Sequence, residues 1–115
     1  MMIGDLTLDS IHAGLNGLSA RRAASEDAIA NSETPGYLAR NVDFEDQLSR
    51  AIDEGNPMSA TPTASYTTDE ALPNGNNVRL DKEMVSLTDT ALRQQLLVEA
   101  ANAKFRLLRT VITGQ

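Results

Sequence analysis

The chain contains neither cysteine nor tryptophan, and aromatic residues make up only 3% of its 115 positions. Without cysteine there are no disulfides, thiolate metal centres or thiol nucleophiles, and the chain is indifferent to the redox state of its compartment. With so few aromatics, Leu, Ile, Val, Met and Ala must fill the core, which suits helices better than sheets. His12 is the only histidine; lacking a second His or any Cys, it cannot build a zinc site of ordinary composition and is expected at the surface or in a helix seam. No nucleophile elbow and no glycine-rich loop after a strand is present, so neither hydrolase nor phosphate-binding chemistry has support. No catalytic residue, metal ligand, cofactor or small-molecule substrate is expected.

Long apolar runs are also missing. Nothing approaches the roughly 18 residues needed to span a bilayer, so no membrane insertion is expected. The opening MMIGDLTLDSIHAG lacks a basic segment leading into a continuous apolar stretch, and a cleaved secretory signal is therefore not expected. Basic residues are the minority, ten against sixteen acidic ones for a net charge of -6. Arg21 and Arg22 form one pair, and Lys104, Arg106 and Arg109 sit near the C-terminus, where cations meet the negative end of a helix dipole. Neither group makes a face for nucleic acid. The pairs Glu26-Asp27, Glu45-Asp46, Asp53-Glu54 and Asp69-Glu70 read as solvated surface, because adjacent helical residues point about 100° apart.

What is present is helical periodicity at both ends. A hydrophobic content of 41% supports one domain, residues 1–115, rather than two. Leu8, Ile11, Leu15, Leu18 and Ile29 follow the three-four spacing of a helix seam, interrupted at Arg22 and Ser25, and predict a helix over 6–32. Gly14 and Gly17 each cost about 1 kcal/mol relative to Ala, so this helix needs a partner. It stops within Ala30, Asn31, Thr34, Pro35, Gly36 and Tyr37. Thr34 is pushed out of helical geometry by Pro35, and Gly36 accepts the positive φ of a type II turn. Residues 33–80 are expected to hold a short helix from Phe44 to Ile52 capped by Asp43, ended by Gly55-Asn56-Pro57. An irregular Thr/Ser/Pro/Asn loop over 58–77, partly mobile and visiting short extended segments, completes that segment.

The segment 81–113 carries the strongest pattern. Met84, Leu87, Ala91, Val98, Ala101, Phe105, Leu108 and Ile112 repeat at three and four, with Gln94 the single polar break. Asp81 is the expected N-cap and Gly114 the expected C-terminal stop. A second stripe, Val85, Leu92, Leu96, Ala103, Leu107 and Val111, is offset by about 100°. One neighbouring helix cannot cover both stripes, and a single hairpin has nothing else to offer. The expected fold is mainly α, with the two terminal helices packed as a coiled-coil hairpin and both stripes serving helix–helix or subunit contacts.

The stretch AIANSETPGYLARNVDFEDQL, Ala28 to Leu48, resembles the N-terminal signature of flagellar basal-body rod and hook proteins. The match rests on Ala30, Asn31, Thr34, Pro35, Gly36 and Tyr37. The block from Gly75 to Gly114, opening GNNVRLDKEM, is similar to the C-terminal helix of the family's proximal rod members. The resemblance implies a structural rod subunit that self-assembles into the shaft crossing the periplasm and transmits torque from motor to hook. It implies export without a cleaved signal by the flagellar type III apparatus. It also implies neighbours among the FlgC-like and FlgF-like rod proteins and the junction protein FliE, and termini that order on assembly. A soluble helical-hairpin adaptor or secretion chaperone is the alternative that the acidic balance would suit.

Overall fold

The computed structural model describes residues 3–114. Two long antiparallel helices, α1 (Ile3–Ala30) and α3 (Leu80–Thr113), lie against each other, and the chain between them folds onto one side of the pair. That intervening segment contains β1 (Arg40–Asp43), α2 (Glu45–Asp53), a 3-10 turn (Pro57–Ser59) and β2 (Thr63–Tyr66). The molecule is a slab of 64 × 28 × 14 Å. Its radius of gyration is 17.8 Å, against about 13 Å for a compact chain of this length. The elongation follows from α3, whose 34 residues span about 51 Å at 1.5 Å each.

β1 and β2 pair antiparallel, Arg40 opposite Tyr66 and Asp43 opposite Thr63. Most of the loop expected over 58–77 is irregular, but Met58 and Ser59 belong to the 3-10 turn and Thr63–Tyr66 form a paired strand where only a passing extended segment was expected. Every residue of β2 is exposed and only Val42 of β1 is buried, so the alternation that announces a strand was never in the sequence. Two caps are corrected as well. Asp43 ends β1, and the N-cap of α2 is Phe44 without a side-chain hydrogen bond. Arg79 takes the N-cap of α3, while Asp81 lies in the first turn and accepts from the backbone N–H of Lys82 at 2.9 Å. Gly114 adopts the left-handed conformation (φ 74°) at the end of α3 and donates to the Thr110 carbonyl at 2.8 Å.

The core is thin and rich in alanine. Ala13, Leu18, Ala24 and Ala28 of α1 are buried together with Ala39, Val42, Phe44 and Ala51 from the intervening segment. Small side chains let the elements approach closely, and Gly17 shows why. A methyl group at Gly17 would overlap the Phe44 ring, so the glycine that weakens α1 in isolation is what seats the single buried aromatic side chain of this layer. Arg21 closes the layer from the other side. Its guanidinium lies 4.8 Å from the Phe44 ring centroid, donates to the Val42 carbonyl at 2.8 Å and grips both carboxylate oxygens of Glu45 at 2.7 Å each. That bidentate hydrogen bond pulls the Glu45 carboxyl down to about 2 and raises the Arg21 guanidinium further.

Candidate functional site

The turn after α1 and the residues before α3 form a single polar clasp. Tyr37 N–H donates to the Thr34 carbonyl at 3.2 Å, and Gly36 sits at φ 76°, the type II turn that Thr34-Pro35-Gly36 requires. Upstream, the Asn31 amide donates to the Asp27 carbonyl at 2.8 Å, and its oxygen accepts from the Thr34 hydroxyl at 3.0 Å. Gly75, at φ 84°, presses against this turn: a Cβ on it would stand 3.2 Å from the Gly36 Cα. Gly36 N–H donates to the Asn74 carbonyl at 2.9 Å.

Two buried asparagines complete the clasp. Asn76, 1% exposed, donates its amide to the Asn31 carbonyl at 2.9 Å and the Thr34 carbonyl at 2.8 Å. Its oxygen accepts from Val78 N–H at 2.8 Å. Asn77, 4% exposed, accepts from Ala39 N–H at 2.7 Å and donates to the Thr67 hydroxyl and the Asp69 carbonyl. Asn76 adds a second hydrogen bond to two carbonyls that the turn already engages and takes up Val78 N–H, while Asn77 ties Ala39 N–H to the Asp69 carbonyl. The two stretches that carry the family resemblance therefore touch. The roles of Asn76 and Asn77 were missed in the sequence, although an Asn-Asn pair beside a glycine is a signal for side chains that satisfy local backbone.

The seam between α1 and α3 takes only part of the expected stripe. Leu87, Gln94, Ala101 and Leu108 are half-buried along it, interleaved with Glu83, Thr90, Leu97 and Lys104. Met84, Val98, Phe105 and Ile112 fall one residue aside and are exposed, and Ala91 lies half-buried at the margin. The cause of the shift is polar. On α1, Ser25 is buried and its hydroxyl reaches that of Ser86 at 3.3 Å, while Arg22 and Ser19 engage Gln94 at 3.2 and 3.5 Å. The interruption at Arg22 and Ser25 is thus matched by polar partners on α3. Burial raises the Glu83 carboxyl, opposed by a hydrogen bond from Ser25 and by Lys82. Leu8, Ile11, Leu15 and Ile29 of α1 are half-buried, and Leu18 is buried at 3% exposure.

The second stripe has no cover among the described residues. Val85, Leu92, Leu96, Leu107 and Val111 are 56 to 74% exposed, and Ala103 is exposed with them. A shallow groove of about 960 Å³ runs beside Leu92, Leu96 and Val98. A second groove of about 400 Å³ lies between α1, α2 and α3. His12 is exposed. Among the described residues no cluster of His, Cys, Asp or Glu is placed to hold a metal ion, and no helix is long and apolar enough to cross a membrane.

A helix pair locked at one end by a clasp, with an apolar helix face left open, is the architecture of a protein that presents a surface to other protein. Comparison with known proteins makes this specific. The flagellar basal body rod protein FlgB of Bacillus subtilis is 31% identical over 121 aligned positions, covering 94% of each chain. That of Borrelia hermsii is 28% identical over 97% of this chain and 99% of its own, and that of Escherichia coli 23% identical over 94% of each. No family model matches the sequence. The chain belongs to the FlgB family of flagellar basal body rod proteins.

Proposed function

We propose that this chain is a structural subunit of the proximal part of the flagellar rod, assembling through α1 and α3 into the periplasm-crossing shaft that carries torque from motor to hook. The observation that carries the reading, beside family membership, is the uncovered stripe from Val85 to Val111. A contiguous apolar face of this length on a small protein is a surface for other protein. In the assembled rod the helices pack as a coiled coil against other copies and against FlgC-like, FlgF-like and FliE neighbours. Load passes through packed side chains and no active site is needed. Export proceeds through the flagellar type III apparatus without a cleaved signal, and the ends of the helices order fully only on assembly.

Fractionation is the direct test: the protein should co-purify with basal bodies, and a protein that stays wholly cytoplasmic would be the adaptor or chaperone instead. Val98→Asp places a charge on the exposed face, where Val98 is 46% exposed, and should leave folding and export intact while abolishing rod incorporation. Leu108→Asp, in the half-buried seam, should also block incorporation. Normal motility in the Val98→Asp strain would sink the interface assignment. Circular dichroism of dilute protein should show less helix than α1 and α3 together contain.

A further inference from the structure

Charge is divided unevenly over the surface. Residues 43 to 54, around α2, carry Asp43, Glu45, Asp46, Asp53 and Glu54 against a single cation, Arg50. Beside them lies the groove of about 400 Å³, walled by Ile11, Leu18, Leu48, Ile52 and Leu97, with Arg93 on its edge paired to Asp89 at 2.8 Å. Residues 100 to 114 show the reverse: Lys104, Arg106 and Arg109 with no acidic side chain. Around those cations Phe105, Leu107, Val111 and Ile112 are 56 to 81% exposed.

The same end of α3 has little to lean on. A methyl group at Gly14 would stand 3.0 Å from Leu97, and Ser25 meets Ser86; this antiparallel register sets the start of α1 opposite about residue 108. The last turn and a half of α3 runs past the described part of α1. A continuous helix separates Val111 from Leu97 in the groove by about 21 Å, so the chain cannot fill its own groove with its own tail.

We propose that the groove between α1, α2 and α3 receives the basic, apolar C-terminal end of α3 from a second copy of this chain. The proposal deepens the rod reading and rests on it for the partner being another copy. In this contact Val111 and Ile112 enter the apolar groove, and Arg106 and Arg109 meet Asp46 and Asp53 of α2, Glu45 being held by Arg21. Because donor surface and acceptor surface differ, the contact is head-to-tail and propagates instead of closing on a dimer. Its ionic part is exposed, so it weakens as salt rises and the screening length falls below about 10 Å.

The test uses the full chain. In sedimentation velocity at low salt, R106E/R109E should weaken self-association by about tenfold or more, and D46R/D53R should do the same. All four substituted positions are exposed, and mixing the two variants, whose reversed tail and reversed groove complement each other, should restore association. A photo-crosslinker replacing Val111 should label residues 46 to 52 of the other copy. Self-association insensitive to both reversals, labelling of another α3 instead of α2, labelling of a different protein only, or no self-association at all would overturn the proposal. The rod reading stands or falls separately, on whether the unmodified protein co-purifies with basal bodies.

Discussion

The two ends of this molecule solve opposite problems. At the clasp, Asn76 and Asn77 are almost wholly enclosed and each makes three hydrogen bonds, so the polar groups of two turns are satisfied inside one chain. At the far end of α3, Leu107, Val111 and Ile112 are 56, 74 and 81% exposed, and nothing among the described residues covers them. The difference separates what the chain settles alone from what it leaves to neighbours. Buried polar groups are costly unless paired, so the clasp has to be complete before anything else docks. Exposed apolar side chains cost a monomer little and are free to be buried later.

The largest effect should come from breaking the self-sufficient end. Asn76→Ala removes three buried hydrogen bonds at once, one of the two at each of the Asn31 and Thr34 carbonyls and the one at Val78 N–H, and at about 1 kcal/mol each urea denaturation should show a loss of about 3 kcal/mol. Gly17→Ala should cost about 1 to 2 kcal/mol by the same measurement: the overlap with the Phe44 ring outweighs the roughly 1 kcal/mol gained in helix propensity. Glu45→Gln tests the Arg21 clamp beside that ring. The Glu45 carboxyl is held down to about 2 in the folded chain, so its contribution is present above the ordinary value near 4.5 and is lost as pH falls toward 2. The stability difference between wild type and Glu45→Gln should therefore be largest at neutral pH and vanish at about pH 2. Its size should stay under about 1 kcal/mol, because the Glu45 side chain is 48% exposed and water screens it. Smallest of all, Val85→Ser and Leu92→Ser on the open face should each change monomer stability by no more than about 0.5 kcal/mol. Those same two substitutions should nonetheless reduce incorporation into basal bodies, measured by co-purification, and that inversion would sharpen the contrast most.

The helical frame was legible because its signals are local. Thr34-Pro35-Gly36 dictated a stop and a type II turn, and Gly114 ends α3 in the left-handed conformation. The expected short helix from Phe44 to Ile52 overlies α2, Glu45–Asp53. What escaped depends on partners far away in the chain. The β1–β2 pair is made of four-residue strands without alternation, and only the opposing strand defines it. Apolar spacing favours a seam through Met84, Val98 and Phe105, whereas the helices meet through Glu83, Thr90, Leu97 and Lys104, three of them polar. Ser25, Ser86 and Gln94 support that polar register through cross-helix hydrogen bonds that apolar periodicity does not contain.

The meeting of Gly36 and Gly75 has a consequence for how such a chain can vary. Because those two backbones touch, residues 37 to 74 leave and re-enter the helix pair at nearly one point, like a loop of string tied at a knot. Extra length inserted there leaves the helix pair undisturbed, and each doubling of a flexible connection adds only about 0.6 kcal/mol of closure cost. A folded domain grafted after the exposed Glu70 would ride on the outside of the slab, carried by a junction that never has to change.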